Sequence, residues 1–270
     1  MQEEVIELID NDSKGCAAPA LEMCAFLARY SAALFTAGAT CIRLKKNVDR
    51  IAEAYGMKVE VTILPRHIHL TVSDPDYKEV VTEITSIGDG PISFDLNTRL
   101  SKLSWQIADG KISFHEARDV LKRLIHMPYK DLFSLPFIVG LANAAFCRLF
   151  NGDFLAMAVV FVAVFIGYNL KILLAEKKVD FRVTVILCAF FSTILAAGDG
   201  VFGISSTPDI AIGTSVLYLV PGIPFINSFS DMLDKHYICA FGRLMNAVVL
   251  TFCLSVGLGL GMWLMGVSLF

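Results

Sequence analysis

Residues that could line a solute path gather in one interrupted apolar stretch, Leu217 to Arg243. Proline removes a backbone donor and disfavours helix in its predecessor, so Pro221 and its neighbours predict a helix break at Val220. Broken helices at membrane depth occur where freed backbone lines a cavity, which makes the stretch a candidate transport site. The alternative is a kinked helix that only packs against its neighbours. The predicted transport path consists of Pro221, Gly222, Asn227, Asp231, Arg243 and Asn143.

The carboxylate and amides in this set have alternative roles. Asp231 lies one turn beyond Asn227 if the helix resumes after Pro224, so both would share a face. A buried Asp231 is a candidate proton carrier, whereas an exposed one would pair with Lys235 or Arg243. Amides in hydrocarbon need partners, so Asn143 and Asn227 either join helices or bind solute. The helix-joining role is favoured for Asn143 and the ligand role for Asn227.

Composition divides the chain into two halves. The 270 residues are 55% hydrophobic with a mean hydropathy of +0.62, and the apolar residues crowd the second half. We predict a cytoplasmic α+β domain over 1–130 and a transmembrane helical domain over 131–270. A net charge of -3 without a basic patch argues against nucleic acid. The seven cysteines include no CxxC pair and are interpreted as buried apolar residues, not as metal ligands or disulfides.

The polar half shows helical and strand periodicities in succession. One helix is predicted from Pro19 to Ala37, ending at Gly38, and a second runs from about Ile42 to a stop at Gly56; two strands flank Pro65 and Arg66. A further strand or short helix is expected near 80–84. Two more helices cover 96–108 and 114–125, the last capped by Ser113. His67 and His69 would share a strand face, but without a third ligand a solvated pair is favoured over a metal site.

Successive apolar runs in the second half predict an all-α polytopic membrane domain of about five transmembrane helices. Lysine and arginine concentrate in alternate connections, which by the positive-inside rule places the N-terminal domain in the cytoplasm and the C-terminus outside. The protein is therefore expected to be a multi-pass protein of the inner (plasma) membrane. The predicted spans are Leu132–Phe150, Phe154–Ala175, Arg182–Phe202, Ile210–Phe229 and Cys239–Leu269.

Four segments together resemble the threonine/serine exporter (ThrE) family, in particular its short, YjjP-type members. The resemblance covers nearly the whole chain and is strongest around Pro221 and Gly222. It implies one component of a split exporter whose other half is a separate small membrane protein of the YjjB type, giving a hetero-oligomer. The implied cargo is succinate for the split type and threonine or serine for the fused type. The segments are TAGATCIRLKKNVDRIAEAYGM, NTRLSKLSWQIADGKISFHEA, GLANAAFCRLFNGD and LVPGIPFINSFSDMLDKHYICAFGRL.

Either cargo carries a carboxylate, which unpaired amides at the broken helix would receive with help from Arg148, Lys171 or Arg243. No nucleotide fingerprint or catalytic setting is recognisable, so no cofactor, catalytic residue or metal is assigned and the chain is not expected to be an enzyme. Two alternatives remain. One is a membrane scaffold; the other is a membrane-anchored, hydrolase-like enzyme that would use His67, His69, Asp74 and Asp76.

Overall fold

The computed structural model describes residues 20–74, 78–88, 90, 92–127, 134–203 and 205–267. These residues form two compact units. The first unit comprises Met1–Pro128 together with Phe229–Phe241, and the second comprises Tyr129–Ser228 together with Gly242–Phe270. Residues 229–241, which lie within the interrupted apolar stretch, therefore group with the N-terminal part of the chain.

Between residues 20 and 127, the described part of the first unit combines four helices with a three-stranded antiparallel sheet of order β1-β2-β3. The predicted helices and both predicted strands are confirmed, and the segment near residue 80 is a strand. Positions 75–77, including Asp76, lie outside the described residues. The elements are α1 (Ala20–Thr36), α2 (Cys41–Ala54), β1 (Lys58–Ile63), β2 (His67–Ser73), β3 (Val80–Ser86), α3 (Phe94–Ala108) and α4 (Phe114–Ile125).

The central strand β2 supplies the core of this unit. Ile68, Leu70 and Val72 alternate along it and are fully buried, and α1 packs on β2 and β3. His67 and His69 lie on the opposite face, where they are exposed and half-buried. In the described part of the chain they join no third metal-binding side chain.

Local sequence signals set the helix ends. Gly38 and Gly56 have φ angles of 91° and 70°, values that favour glycine, and they follow α1 and α2. Ser113 and Glu116 form a complete capping box at the start of α4, as predicted.

A polar network joins α2 to α3. Arg50 donates from Nη1 to Asn47 Oδ1 and to Ser104 Oγ, both at 2.7 Å, and its guanidinium lies 3.8 Å from the ring centroid of Trp105. Asn47 donates from Nδ2 to Ser101 Oγ at 3.2 Å. Because Asn47 and Ser104 are buried, these bonds satisfy groups that water cannot reach.

The second unit is helical in its described residues. Three helices are long and apolar enough to cross a membrane: α6, α7 and α10. A fourth candidate is the pair formed by α8 with the short 3₁₀ turn Leu217–Leu219 and then α9, which is bent by 60°. The helices are α5 (Leu135–Leu149), α6 (Phe154–Glu176), α7 (Phe181–Phe202), α8 (Pro208–Ser215), α9 (Gly222–Leu233) and α10 (Tyr237–Leu264).

The prediction of five spans is confirmed only in part. Helix α5 has 15 residues, which corresponds to about 22 Å and is less than the roughly 30 Å of hydrocarbon. Residues 132 and 133 of that predicted span lie outside the described residues. The structure therefore supports three spans, or four with the bent pair.

Large apolar side chains cover the outer faces of the long helices. Phe154, Phe252 and Trp263 are 75%, 69% and 79% exposed. Such surfaces are unfavourable in water but match the acyl chains of a bilayer.

A loop contact holds one end of α6. The Asp153 carboxylate accepts from Ala156 N at 2.7 Å and from the backbone and hydroxyl of Ser206, both at 2.8 Å. These bonds keep the pKa of Asp153 below its usual value. The bond from Ala156 has the largest effect, followed by the two bonds from Ser206. The connection before α6 is thereby tied to the one before α8.

We predict that Tyr30→Phe will lower the free energy of unfolding by about 1 kcal/mol, because a buried hydroxyl loses its hydrogen bond. Tyr30 is fully buried, and its hydroxyl donates to the Leu100 carbonyl at 2.9 Å. The check is thermal unfolding of the purified chain. Tyr55→Phe is the matched control, since Tyr55 packs edge-on against Phe114 and its hydroxyl makes no hydrogen bond within the described residues. Equal shifts for both variants would contradict the prediction.

Candidate functional site

The predicted helix break is present at Val220. After α8 ends, Leu217–Leu219 form a 3₁₀ turn, and Val220 is extended with φ -62° and ψ 125°. Pro221 is buried, and α9 begins at Gly222, two residues before Pro224, after which the helix was predicted to resume. The missing donor of Pro221 and the restriction it places on Val220 account for the break.

Backbone amides around the break are satisfied within the turn. Leu219 N donates to Val216 O at 3.0 Å, Val220 N to Leu217 O at 3.1 Å and Gly222 N to Val220 O at 2.8 Å. Phe225 N likewise donates to Pro221 O at 3.3 Å. The expectation that unpaired amides at the break receive the solute is therefore wrong for these four groups, because each already donates to a backbone carbonyl.

The break places Tyr218 against α6 and α7. The Tyr218 hydroxyl and Ser192 Oγ are 3.0 Å apart and share a hydrogen bond. A Cβ added at Gly167 of α6 would meet both oxygens at less than van der Waals distance. Glycine at 167 is thus required for the close approach of three segments, with a polar pair at their meeting point.

The same helix also carries a cation. Lys171 is four residues after Gly167 and so on the same face of α6. Its ammonium is 5.4 Å from the ring centroid of Tyr168 and 5.8 Å from that of Phe181, and the Tyr168 and Tyr218 rings are 6.0 Å apart. In the described residues no carboxylate forms an ion pair with Lys171. We call Gly167, Tyr168, Lys171, Ser192 and Tyr218 the tyrosine-lysine site.

Such a site suits a small carboxylate. The half-buried ammonium supplies positive charge, and the serine and tyrosine hydroxyls supply donors of adjustable direction. Sequence reasoning gave Lys171 only an accessory role, as one of three cations that could help to bind the solute carboxylate. The signal for a larger role was the position of this lysine inside the long apolar run of α6. A charged side chain there is costly and usually pairs with another group or lines a solute path.

The predicted path residues of the second unit take different positions. Asn143 is buried in α5, and its Nδ2 donates to Val139 O of its own helix at 2.8 Å. Its Oδ1 is buried and accepts no hydrogen bond within the described residues. The favoured helix-joining role of Asn143 therefore has no hydrogen bond to support it. Asn227 in α9 and Arg243 in α10 are both half-buried.

Asp231 belongs to the first unit and is fully buried. Its Oδ1 accepts from Cys41 N, at the start of α2, at 2.7 Å. Helix N-termini favour negative charge, which gives this carboxylate a structural role. Asp231 does lie one turn beyond Asn227 on a continuous helix, as predicted.

Sequence reasoning missed a second buried carboxylate. Asp199, near the end of α7, is fully buried and accepts a hydrogen bond from Ser205 Oγ. Its Oδ1 has no hydrogen-bond partner among the residues that the structure describes. The apolar context ILAAGDGVF was the available signal, and the predicted span Arg182–Phe202 contains Asp199, but the sequence reading gave this carboxylate no role.

Comparisons with known proteins agree on one family. Residues 25–265 match the family model described as putative threonine/serine exporter. A protein of Klebsiella aerogenes named probable succinate transporter subunit YjjP is 27% identical over 233 residues, covering 84% of this chain and 88% of that protein. The Escherichia coli K12 protein of the same name is 34% identical over 132 residues, covering 47% of this chain and 50% of that protein. No solved structure matches.

We predict that Gly167→Ala will separate Tyr218 from Ser192, since the added methyl group overlaps both oxygens. Overpacking of this kind costs about 1–3 kcal/mol, and the check is thermal unfolding in detergent. Gly259→Ala in α10 is the matched control, because an added Cβ there meets no atom within 4 Å. A Gly167→Ala protein as stable as the control would refute the close approach.

Proposed function

Because this chain belongs to the putative threonine/serine exporter family, we propose that it is one subunit of a secondary exporter of small carboxylate metabolites. Membership of that family makes it a transport protein rather than an enzyme, and its apolar helices make it an integral membrane protein. In the proposal, a separate small membrane protein of the YjjB type supplies the second half of the exporter. The scaffold alternative would leave solute flux unchanged on deletion.

The observation that carries the proposal is the Lys171 ammonium, which forms no ion pair with a carboxylate among the described residues and shares a face of α6 with Gly167, where Tyr218 of the broken span packs. A lysine placed among the apolar residues of α6 is costly unless it pairs or contacts a water-filled path. A carboxylate solute would supply the missing negative charge. The hydroxyls of Tyr218 and Ser192 lie beside the same helix face, and whichever of the two does not donate to the other would donate to the solute's second oxygen.

The proposed cargo is a succinate-type dicarboxylate, with threonine or serine as the second candidate. Support for succinate comes from the names of the two relatives, and support for the amino acids from the family description. All three solutes carry a carboxylate, so the tyrosine-lysine site accommodates the shared group without deciding between them. Pro221, Gly222, Asn227, Arg243 and Asn143 remain proposed path residues.

The proposed location is the inner membrane, with residues 1–130 as a cytoplasmic domain and residues 131–270 as the membrane domain. Positive charge in alternate connections supports this orientation. Export would then start from the side on which Lys177 and Lys178 lie, close to the end of α6 that carries Lys171.

We predict that cells making this chain together with a YjjB-type protein will release preloaded succinate, and that either protein alone will not. Radiolabelled succinate and threonine are followed in separate efflux assays, with membrane insertion of both proteins verified by immunoblot. Release of threonine but not of succinate would show that the proposed cargo is wrong and favour the amino acid. Release of neither would contradict the exporter proposal for these solutes.

We predict that Lys171→Met will raise the KM for the exported carboxylate about 10-fold to 100-fold, the effect of losing one charge-assisted contact. Methionine preserves most of the side-chain volume, and Lys171→Arg should restore most of the transport. The check is the concentration dependence of initial efflux in cells with measured internal solute.

The matched control is Lys177→Met, which removes an exposed lysine at the end of the same helix. It should leave the KM unchanged. Equal effects of Lys171→Met and Lys177→Met would show that general surface charge, rather than the tyrosine-lysine site, attracts the solute.

A further inference from the structure

Three metal-binding side chains meet inside the first unit. One ligand atom from each of Cys41, Asp231 and Cys239 lies within 4.8 Å of the other two. The three residues are 0%, 0% and 1% exposed. They come from the start of α2, the last turns of α9 and the first turn of α10, so tertiary structure and not local sequence brings them together.

The separations suit a tetrahedral metal ion. Zinc binds thiolates at about 2.3 Å and carboxylate oxygens at about 2.0–2.2 Å, which places neighbouring ligands about 3.3–3.8 Å apart. Ligand atoms already within 4.8 Å reach these distances by small side-chain rotations. In the described residues this is the one group of three or more such side chains that meets the distance limit.

A backbone hydrogen bond reaches the carboxylate of this group. Cys41 N donates to Asp231 Oδ1 at 2.7 Å. The same bond fixes the orientation of the carboxylate, as outer-shell hydrogen bonds do for metal ligands.

We propose that Cys41, Asp231 and Cys239 bind a zinc ion. Two sulfur ligands select zinc over magnesium or calcium, which prefer oxygen. Three protein ligands leave a fourth coordination position for water or another small ligand. His236, between Asp231 and Cys239 in sequence, is not part of the group.

Zinc binding would fasten two distant parts of the first unit. Cys41 and Asp231 are separated by 190 positions, and the ion would connect the start of α2 to the link between α9 and α10. A metal bridge that closes a long loop stabilises the folded state, because the ligands are not assembled in the unfolded chain.

The test uses the full chain, purified without an affinity tag under a non-thiol reductant. Zinc content is measured by mass spectrometry, and we expect about one ion per chain. Cobalt added to the metal-stripped protein should give the near-ultraviolet band of thiolate ligation, and zinc should abolish it. Cys41→Ser, Cys239→Ser and Asp231→Asn should each lose the zinc and weaken or abolish the band.

Cys253→Ser is the matched control, since Cys253 is a buried cysteine of α10 that lies outside the group. It should retain both zinc and the cobalt band. His236→Ala should also retain them. Loss of metal from the control as readily as from Cys41→Ser would overturn the assignment.

The wild-type protein provides a decisive result even where a variant fails to fold. Absence of zinc together with absence of a cobalt thiolate band would overturn the proposal. Detection of a Cys41–Cys239 disulfide by peptide mapping of protein prepared without reductant, with no metal bound under reducing conditions, would also overturn it.

Discussion

The helix cannot continue through Val220, and the arrangement of the second unit around the candidate site depends on this constraint. Pro221 has no amide hydrogen and restricts its predecessor, so the chain turns through a 3₁₀ segment and bends by 60°. The bend exposes one side of the turn to α6 and α7, where Tyr218 meets Ser192. A straight helix through the same residues would have no turn in which to present that tyrosine.

Small residues permit the packing that this turn requires. Gly167 leaves room for the Tyr218 and Ser192 oxygens, while Gly257 and Gly261 of α10 approach α7 at the Ile186 and Phe190 carbonyls. Membrane helices gain little from excluding lipid, so close backbone contact and hydrogen bonding supply much of their association. Gly259 of α10 has open space around it, so the presence of glycine in a span does not by itself reveal a close helix contact.

Local patterns predicted the elements of the fold well, and long-range contacts were beyond their reach. Alternation located β1 and β2, glycine and the capping box set the helix ends, and the prolines located the break. The partner of Asp231 is 190 positions away, and no periodicity links it to Cys41. The same limit applied to Cys41 and Cys239, which were interpreted singly as buried apolar residues because they form no CxxC spacing. Burial was predicted correctly, whereas their proximity was not.

The satisfied amides at the break change how such a segment would recognise an anion. Leu219, Val220, Gly222 and Phe225 already donate within the turn, so binding a carboxylate there would require bonds to be broken. A backbone site would therefore give up existing hydrogen bonds for new ones, with little net gain. The Lys171 ammonium has no carboxylate to release, since none pairs with it in the described chain. A solute carboxylate at Lys171 adds a charge interaction without removing one, which is why we assign recognition to side chains around the break and a shaping role to the break itself.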